Sequence, residues 1–169
     1  MSHYYTNDDS LEHKEIRFSY TFRGEVIYFL SDLGVFSKNR VDYGTNILLN
    51  SLDDFNGQKV LDIGCGVGVI GLAIAKRYPT TKVDLVDINK RAITLANTNA
   101  LANGISNANI YLSDLYENVE GNYDIIISNP PIRAGKASSM EKQMISVFGN
   151  CRTIDKKDGF YIYESSKEK

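Results

Sequence analysis

The chain has 169 residues, 43% of them hydrophobic and 24% charged, enough for one domain with a core of its own. Nineteen Lys and Arg stand against 21 Asp and Glu, a net charge of −2, so no overall field draws it to nucleic acid or anionic lipid, and RNA binding would need a local basic patch. Two widely spaced cysteines, Cys65 and Cys151, a polar N-terminus and no run near the roughly 20 apolar residues of a membrane span exclude the disulfide-framework, secreted and membrane classes and leave a cytoplasmic protein.

Residues 1–14 are polar and carry no periodic pattern. From Glu15, strict alternation sets Ile16, Phe18, Tyr20 and Phe22 against Glu15, Arg17, Ser19 and Thr21. Arg23-Gly24 supplies a two-residue turn and Glu25 to Leu30 a return strand, so a hairpin is predicted, as a lid or brace over one sheet edge. The run Gly34 to Thr45 is polar, basic at Lys38 and Arg40, and rich in turn residues. Such a loop often borders a functional cleft, and an ordinary connection is the equal alternative. Thr45 is the predicted cap of a short helix carrying Ile47, Leu48 and Leu52.

The stretch from Lys59 to Gly71 organises the rest. An apolar run ends at Asp62-Ile63, and Gly64, Gly66, Gly68 and Gly71 follow as a helical pattern begins, with Ile70, Ala73 and Ile74 on one face. Lys76 and Arg77 suit that helix's negative end, and Pro79 stops it. A buried strand, a tight turn without Cβ atoms and a helix N-terminus make a cradle for a nucleotide-like ligand.

Lys82 to Asp87 is a second strand ending in an acid, and Asn89 caps a helix that buries Ala92, Ile93, Leu95, Ala96 and Ala100 and closes at Asn103-Gly104. Asn109 to Leu112 is a third strand, leading to Ser113-Asp114; Tyr123 to Ser128 is a fourth, leading to Asn129-Pro130-Pro131-Ile132. Strands alternating with helices predict an α/β fold, a doubly wound and mostly parallel sheet with helices on both faces. Ligands of such sheets sit outside the carboxyl ends of the strands, where Asp62, Asp87, Asp114 and Asn129 all fall. The capping box Ser138-x-x-Glu141 opens a helix whose Met140, Met144, Ile145 and Phe148 read as core, ended by Gly149. Cys151 to Lys156 and Phe160 to Glu164, joined through Lys157-Asp158-Gly159, predict a closing antiparallel hairpin.

Gly66 to Gly71 satisfies the pattern G-x-G-x-x-G, and Asp87 stands near the place of a ribose-binding acid. Asp62 argues against a dinucleotide: a carboxylate two residues before the first glycine would repel a phosphate and welcome a cation. S-adenosylmethionine fits, with its ammonium and sulfonium toward the glycine turn, its ribose on Asp87 and its adenine near Ile88 and Asp114.

Asp62-Ile63-Gly64-Cys65-Gly66-x-Gly68, Asp87, Asp114 and Asn129-Pro130-Pro131 resemble the motif set of class I S-adenosylmethionine-dependent methyltransferases. Gly34-Val35-Phe36-Ser37, Val41 to Thr45 and Asn129 to Lys136 resemble the small-subunit ribosomal RNA guanine-N2 methyltransferase-like (methyltransferase small domain) group. The likeness implies a Rossmann-like methyltransferase sheet with an N-terminal β-hairpin extension and an antiparallel C-terminal hairpin. It also implies the methionine moiety against Asp62 and the loop glycines Gly64, Gly66 and Gly68, with catalysis at Asn129, Pro130 and Pro131. Ile132, Arg133 and Lys136 would meet substrate, ribosomal RNA being the implied partner. If the Asn129 oxygen and the Pro130 carbonyl accept the two N–H groups of a guanine amine, the lone pair of its nitrogen is released toward the donor methyl by orientation and dipoles rather than by a strong base. A protein glutamine or small-molecule amine, a nicotinamide-dependent oxidoreductase and a non-catalytic RNA-binding relic are the alternatives.

Residues 1–54 are expected to form the extension and 55–169 the cofactor-binding core. Between Asn129 and the capped helix the chain is too short for the helix and central strand that the family's order places there, since a parallel neighbour needs a crossover of a dozen or more residues. Some 25–30 residues, roughly a helix plus a strand with loops, are expected to be missing near Lys136-Ala137.

Overall fold

The computed structural model describes residues 15–32, 41–129, 141–142, 145–146, 149–157 and 160–165. Strands β1 (Glu15–Phe22) and β2 (Glu25–Asp32) form the predicted hairpin, with Phe22 opposite Glu25 across Arg23-Gly24. Both turn residues have positive φ, 48° and 90°, the backbone that matches the twist of two-residue hairpins. Phe22, Ile27 and Phe29 are buried, and the Phe18 ring stacks on Phe29 at 5.3 Å.

The hairpin does not extend a sheet edge; it is a two-stranded sheet of its own, laid on the helices α2 (Val69–Arg77) and α3 (Lys90–Ala102). The reason lies in two asparagines one turn apart, Asn99 on α3 and Asn103 at its C-cap. Asn103 takes Tyr28 N–H on its Oδ1 at 2.9 Å and gives an N–H to Tyr28 O at 2.7 Å. Asn99 does the same with Leu30, at 2.7 and 3.0 Å. Side-chain amides thus stand where a third strand would have paired, and the outer edge of β2 is satisfied by a helix. The Arg23 guanidinium fastens the turn end, donating to the Leu52 and Asp53 carbonyls and to Tyr78 Oη.

Helix α1 (Tyr43–Ser51) starts three residues earlier than predicted, because its cap is Asp42 and not Thr45: Asp42 Oδ1 accepts the Thr45 N–H at 3.0 Å. Strands β3 (Lys59–Ile63), β4 (Lys82–Asp87), β5 (Ala108–Leu112) and β6 (Ile125–Ser128) make one parallel sheet in the order β5-β4-β3-β6. Val60, Val83 and Leu85 face the helices and join Leu49 of α1, Leu72 and Ile74 of α2 and Ala92 of α3 in the main core. Leu61, Ile63 and Val86 point to the other face, where Tyr111, Val119 and Tyr123 close a smaller cluster. On that face Tyr123 donates to Asp84 and lies under the Lys59 ammonium at 4.1 Å.

Gly71 is the point of closest approach between α2 and the sheet. A Cβ there would stand 2.6 Å from Cγ and Cδ2 of Leu85, so only glycine lets the helix sit on the strand. Beyond β6, Glu141, Lys142, Ile145 and Ser146 are helical, and Gly149 N–H closes on Ile145 O at 2.8 Å. Ser138, Met140, Met144 and Phe148 lie outside the described residues, and Ile145, read as core, is exposed. Strands β7 (Arg152–Lys157) and β8 (Phe160–Glu164) form the predicted closing hairpin as a separate antiparallel pair.

Replacing Asn99 or Asn103 by Leu leaves a strand N–H and C=O without partners. Each change is expected to cost about 1–3 kcal/mol in denaturant unfolding. Faster amide hydrogen exchange should follow at Leu30 or Tyr28 respectively.

Candidate active site

The register of the sheet brings the predicted rim together. Ile63 pairs with Val86 on one side and Ser128 on the other, and Asp87 pairs with Leu112, so four strands end level. Asp114, Asp87, Gly64 and Asn129 therefore follow one another along the carboxyl edge. Ser128 Oγ donates to Ile63 O at 2.9 Å, tying the start of the Asn129 segment to the start of the glycine turn.

The glycine turn is held by its own N–H groups. Those of Gly64 and Cys65 both reach Val86 O, at 2.8 and 3.0 Å, and that of Gly68 reaches Cys65 O at 2.9 Å. Gly66 N–H goes to Asp87 Oδ2 and Gly71 N–H to Asp62 Oδ2, both at 2.9 Å. A phosphate cradle needs such donors pointing at the ligand. Here they point into the protein, and what the turn backs onto is two carboxylates. Asp87 is buried, and its other oxygen accepts the Asn89 N–H at 2.9 Å, fixing the first residue after the rim.

Asp62 is buried to 1% exposure, and its Oδ1 has no hydrogen-bond partner among the described residues. Burial pushes its carboxyl up to about 7; the Gly71 N–H opposes that rise and the nearby charge of Asp87 adds to it. An unmatched acceptor beside a second carboxylate fits a cationic group and not an anionic one. Burial, with the charges of Asp62 and Asp87, also raises the Cys65 thiol, so Cys65 is no nucleophile here.

Asn129 is half-buried, and its amide is engaged at one end: Nδ2 donates to Thr45 Oγ1 at 2.8 Å and approaches Asp42 Oδ1 at 3.4 Å. The end of β6 is thereby joined to the N-terminus of α1. Ile88 is half-buried and Asp114 exposed at the rim.

The methyltransferase small domain family matches residues 26–146. The chain belongs to the methyltransferase small domain family. Its cofactor is S-adenosylmethionine and its chemistry methyl transfer, in keeping with the acceptor-rich turn. The Bacillus subtilis protein YbxB is 34% identical over 197 aligned positions that take in 98% of each chain. Ribosomal RNA small subunit methyltransferase C is 48% identical over 102 residues in Hahella chejuensis and 33% identical over 180 in Vibrio vulnificus. These cover 60% and 89% of this chain but only 30% and 52% of those relatives. Among solved structures, a 16S rRNA N2 methyltransferase (RsmC) from T. thermophilus in complex with AdoMet and guanosine superposes with a TM-score of 0.79 over 90% of this chain and 50% of that one. Its 23% identity makes it a likeness of fold.

Of the residues singled out in the sequence of this methyltransferase domain, Asp62, Gly64, Gly66, Gly68, Asp87, Ile88, Asp114 and Asn129 stand at one rim. Pro130, Pro131, Ile132, Arg133 and Lys136 lie outside the described residues, as do Lys38 and Arg40. Sequence reasoning missed Asp42 and Thr45 as partners of Asn129, although the run containing them was marked, and it missed Asn99. Besides holding β2, Asn99 donates to Val67 O at 3.0 Å, so one amide braces both the hairpin and the glycine turn. A buried polar residue on the apolar side of a helix was the available signal. Among the described residues, no helix is long and apolar enough to cross a membrane, and no His, Cys, Asp and Glu cluster could hold a metal.

The raised carboxyl of Asp62 gives a pH signature. The folded state holds the proton more tightly than the unfolded chain, whose Asp titrates near 3.9. This group therefore costs nothing below about pH 4, and stability is lost progressively as pH rises through about 7. In Asp62→Asn that loss is absent. The stability of the variant relative to wild type, followed by thermal melts without cofactor, is expected to climb between pH 4 and 7 and then level off, while its affinity for S-adenosylmethionine falls.

Proposed function

We propose that this methyltransferase domain transfers a methyl group to the exocyclic amine of a guanine in 16S ribosomal RNA. The observation that carries the proposal is the direction of the Asn129 amide, whose N–H end is turned into the protein. Its carbonyl end is left to accept an N–H at the rim, beside the glycine turn. The small-subunit methyltransferases among its relatives, and guanosine in the T. thermophilus complex, support ribosomal RNA and guanine as partner and acceptor.

When bound, S-adenosylmethionine supplies an electrophilic methyl on a sulfonium. Asp62 and the turn at Gly64, Gly66 and Gly68 receive the methionine end, Asp62 Oδ1 gaining the donor it lacks. Asp87, at the end of β4 and held by the Gly66 and Asn89 N–H groups, receives the ribose hydroxyls. Ile88 and Asp114 flank the adenine. On the acceptor side, Asn129 Oδ1 and the Pro130 carbonyl take the two N–H groups of the amine and hold its lone pair toward the methyl. Pro131 stiffens the turn, and Ile132, Arg133 and Lys136 meet the base and its phosphates. Attack precedes proton loss, so the residues orient and polarise and none needs to be a strong base.

Residues 55–169 then constitute the cofactor-binding core and 1–54 an extension packed on it. Relative to the family's order, the sequence omits some 25–30 residues, roughly a helix and a central strand with loops, near Lys136-Ala137. Supporting this, the 197 positions aligned with the B. subtilis protein exceed the 169 residues here, so at least 28 have no counterpart in this chain. In the described sheet, β6 has β3 as its one neighbour. Peptide mapping of the protein purified from its source is expected to recover a peptide in which Lys136 runs directly into Ala137. A peptide carrying a helix and a strand between those two residues would show the segment present.

Tritiated methyl transfer to small ribosomal subunits lacking guanine-N2 methylation, followed by nucleoside analysis, tests the activity. Label is expected in N2-methylguanosine; label confined to another nucleoside or to protein would overturn the substrate. Asn129→Ala is expected to bind S-adenosylmethionine within about twofold of wild type and to lose turnover on the order of 100-fold or more.

A further inference from the structure

We propose that Asp42 and Thr45 form a polarised hydrogen-bond relay that fixes which end of the Asn129 amide faces the substrate. This rests on the reading of Asn129 given above and assigns positioning residues to it. Thr45 Oγ1 donates its single proton to Asp42 Oδ2 at 2.6 Å. A carboxylate only accepts, so the direction of that bond is set. Thr45 then has lone pairs alone to offer, and Asn129 meets them with an N–H of Nδ2 at 2.8 Å, its amide nitrogen also facing Asp42 Oδ1 at 3.4 Å. Turned over, the Asn129 oxygen would stand against a hydroxyl lone pair and a carboxylate at once. Two acceptor–acceptor contacts in a half-buried place forbid that orientation, so the carbonyl faces outward before any substrate arrives.

The anchor of the relay is itself rigid. Asp42 caps α1, with Oδ1 on the Thr45 N–H at 3.0 Å and its own carbonyl on the Asn46 N–H at 3.1 Å. The helix N-terminus favours a negative group there. Thr45 is buried to 4% exposure, which protects the hydroxyl from competing water. Thus the segment preceding the glycine motif contributes to the acceptor side of the site across 84 and 87 residues of sequence.

The deciding variant is Asp42→Asn. Asparagine caps a helix as well as aspartate does, so the fold is kept. With Oδ1 of the new amide on the Thr45 N–H, its NH2 faces the hydroxyl and the polarity of the relay reverses. Thr45→Val removes the relay at constant shape, and Thr45→Ser preserves it. The first readout needs no substrate: the side-chain NH2 signal pair of Asn129 in 15N–1H spectra, assigned by its loss in Asn129→Asp. That pair is expected to move in Asp42→Asn and Thr45→Val and to stay in place in Thr45→Ser. The second is methyl transfer to the small ribosomal subunits. Here kcat is expected to fall on the order of 10- to 100-fold in the first two variants. Thr45→Ser should turn over at the wild-type rate, with S-adenosylmethionine affinity unchanged in all three. An Asn129 signal unmoved by Asp42→Asn and Thr45→Val overturns the relay, and so does full turnover in both. Absence of transfer by the wild-type protein overturns the proposed activity instead, and the amide signal still decides the relay.

Discussion

The structure depends on how the turn between β3 and α2 is held. The N–H groups of a glycine turn at a helix N-terminus are natural partners of a phosphate, and in this chain they are taken from within. Val86 O takes two, Asp87 a third, Asp62 a fourth. The turn is therefore shaped before a ligand arrives, and the charge behind it is negative. Two buried carboxylates close enough for one to raise the carboxyl of the other make an environment that a cation relieves and an anion worsens. The same pattern of glycines that serves dinucleotides elsewhere is here backed by two acids, a setting that suits a positively charged group.

Helix α3 transmits this constraint outward. Asn99 is shared between the turn and the hairpin, giving one N–H to Val67 O and pairing with the backbone of Leu30. A turn below, Asn103 pairs with Tyr28, and the Lys76 ammonium of α2 is held at 2.9 Å by Asn103 O. After α3, the Asn107 amide reaches the carbonyls of Ala75, Tyr78 and Thr81, closing the end of α2 against the start of β4. Asparagine is a middling helix former because its amide competes for backbone groups. Here that tendency is directed at backbone outside the helix, and the hairpin becomes a brace for the cofactor turn with no strand pairing at all.

What was legible in the sequence was what local pattern decides. The residues of β4, the Asn89 cap, the closure at Asn103-Gly104 and the glycine turn follow from periodicity and from conformations few residues adopt. The hairpin was legible too, but not its seat, because no periodicity announces that a helix will offer amides to a strand edge. The start of α1 shows the same limit on a smaller scale. Asp42 and Thr45 are both good caps three residues apart, and Asp42 takes the role by accepting the Thr45 N–H, while the Thr45 side chain turns to Asp42 and Asn129. The rim acids were found because strand ends are readable; the partners of Asn129 were not, because a loop-borne segment reaches them only through the fold.

The relay also accounts for why an amide, and not an acid, stands at position 129. With Asp42 already presenting a carboxylate 3.4 Å from Asn129 Nδ2, an aspartate at 129 would put two like charges in contact and leave Thr45 Oγ1 without a donor. One of the two acids would take up a proton, and the oxygen facing the substrate would cease to be a defined acceptor. The amide carries donor and acceptor on one rigid plane, so satisfying its inner end fixes its outer end. For an aromatic amine that attacks first and loses its proton afterwards, a directed dipole is the requirement, and basicity is not.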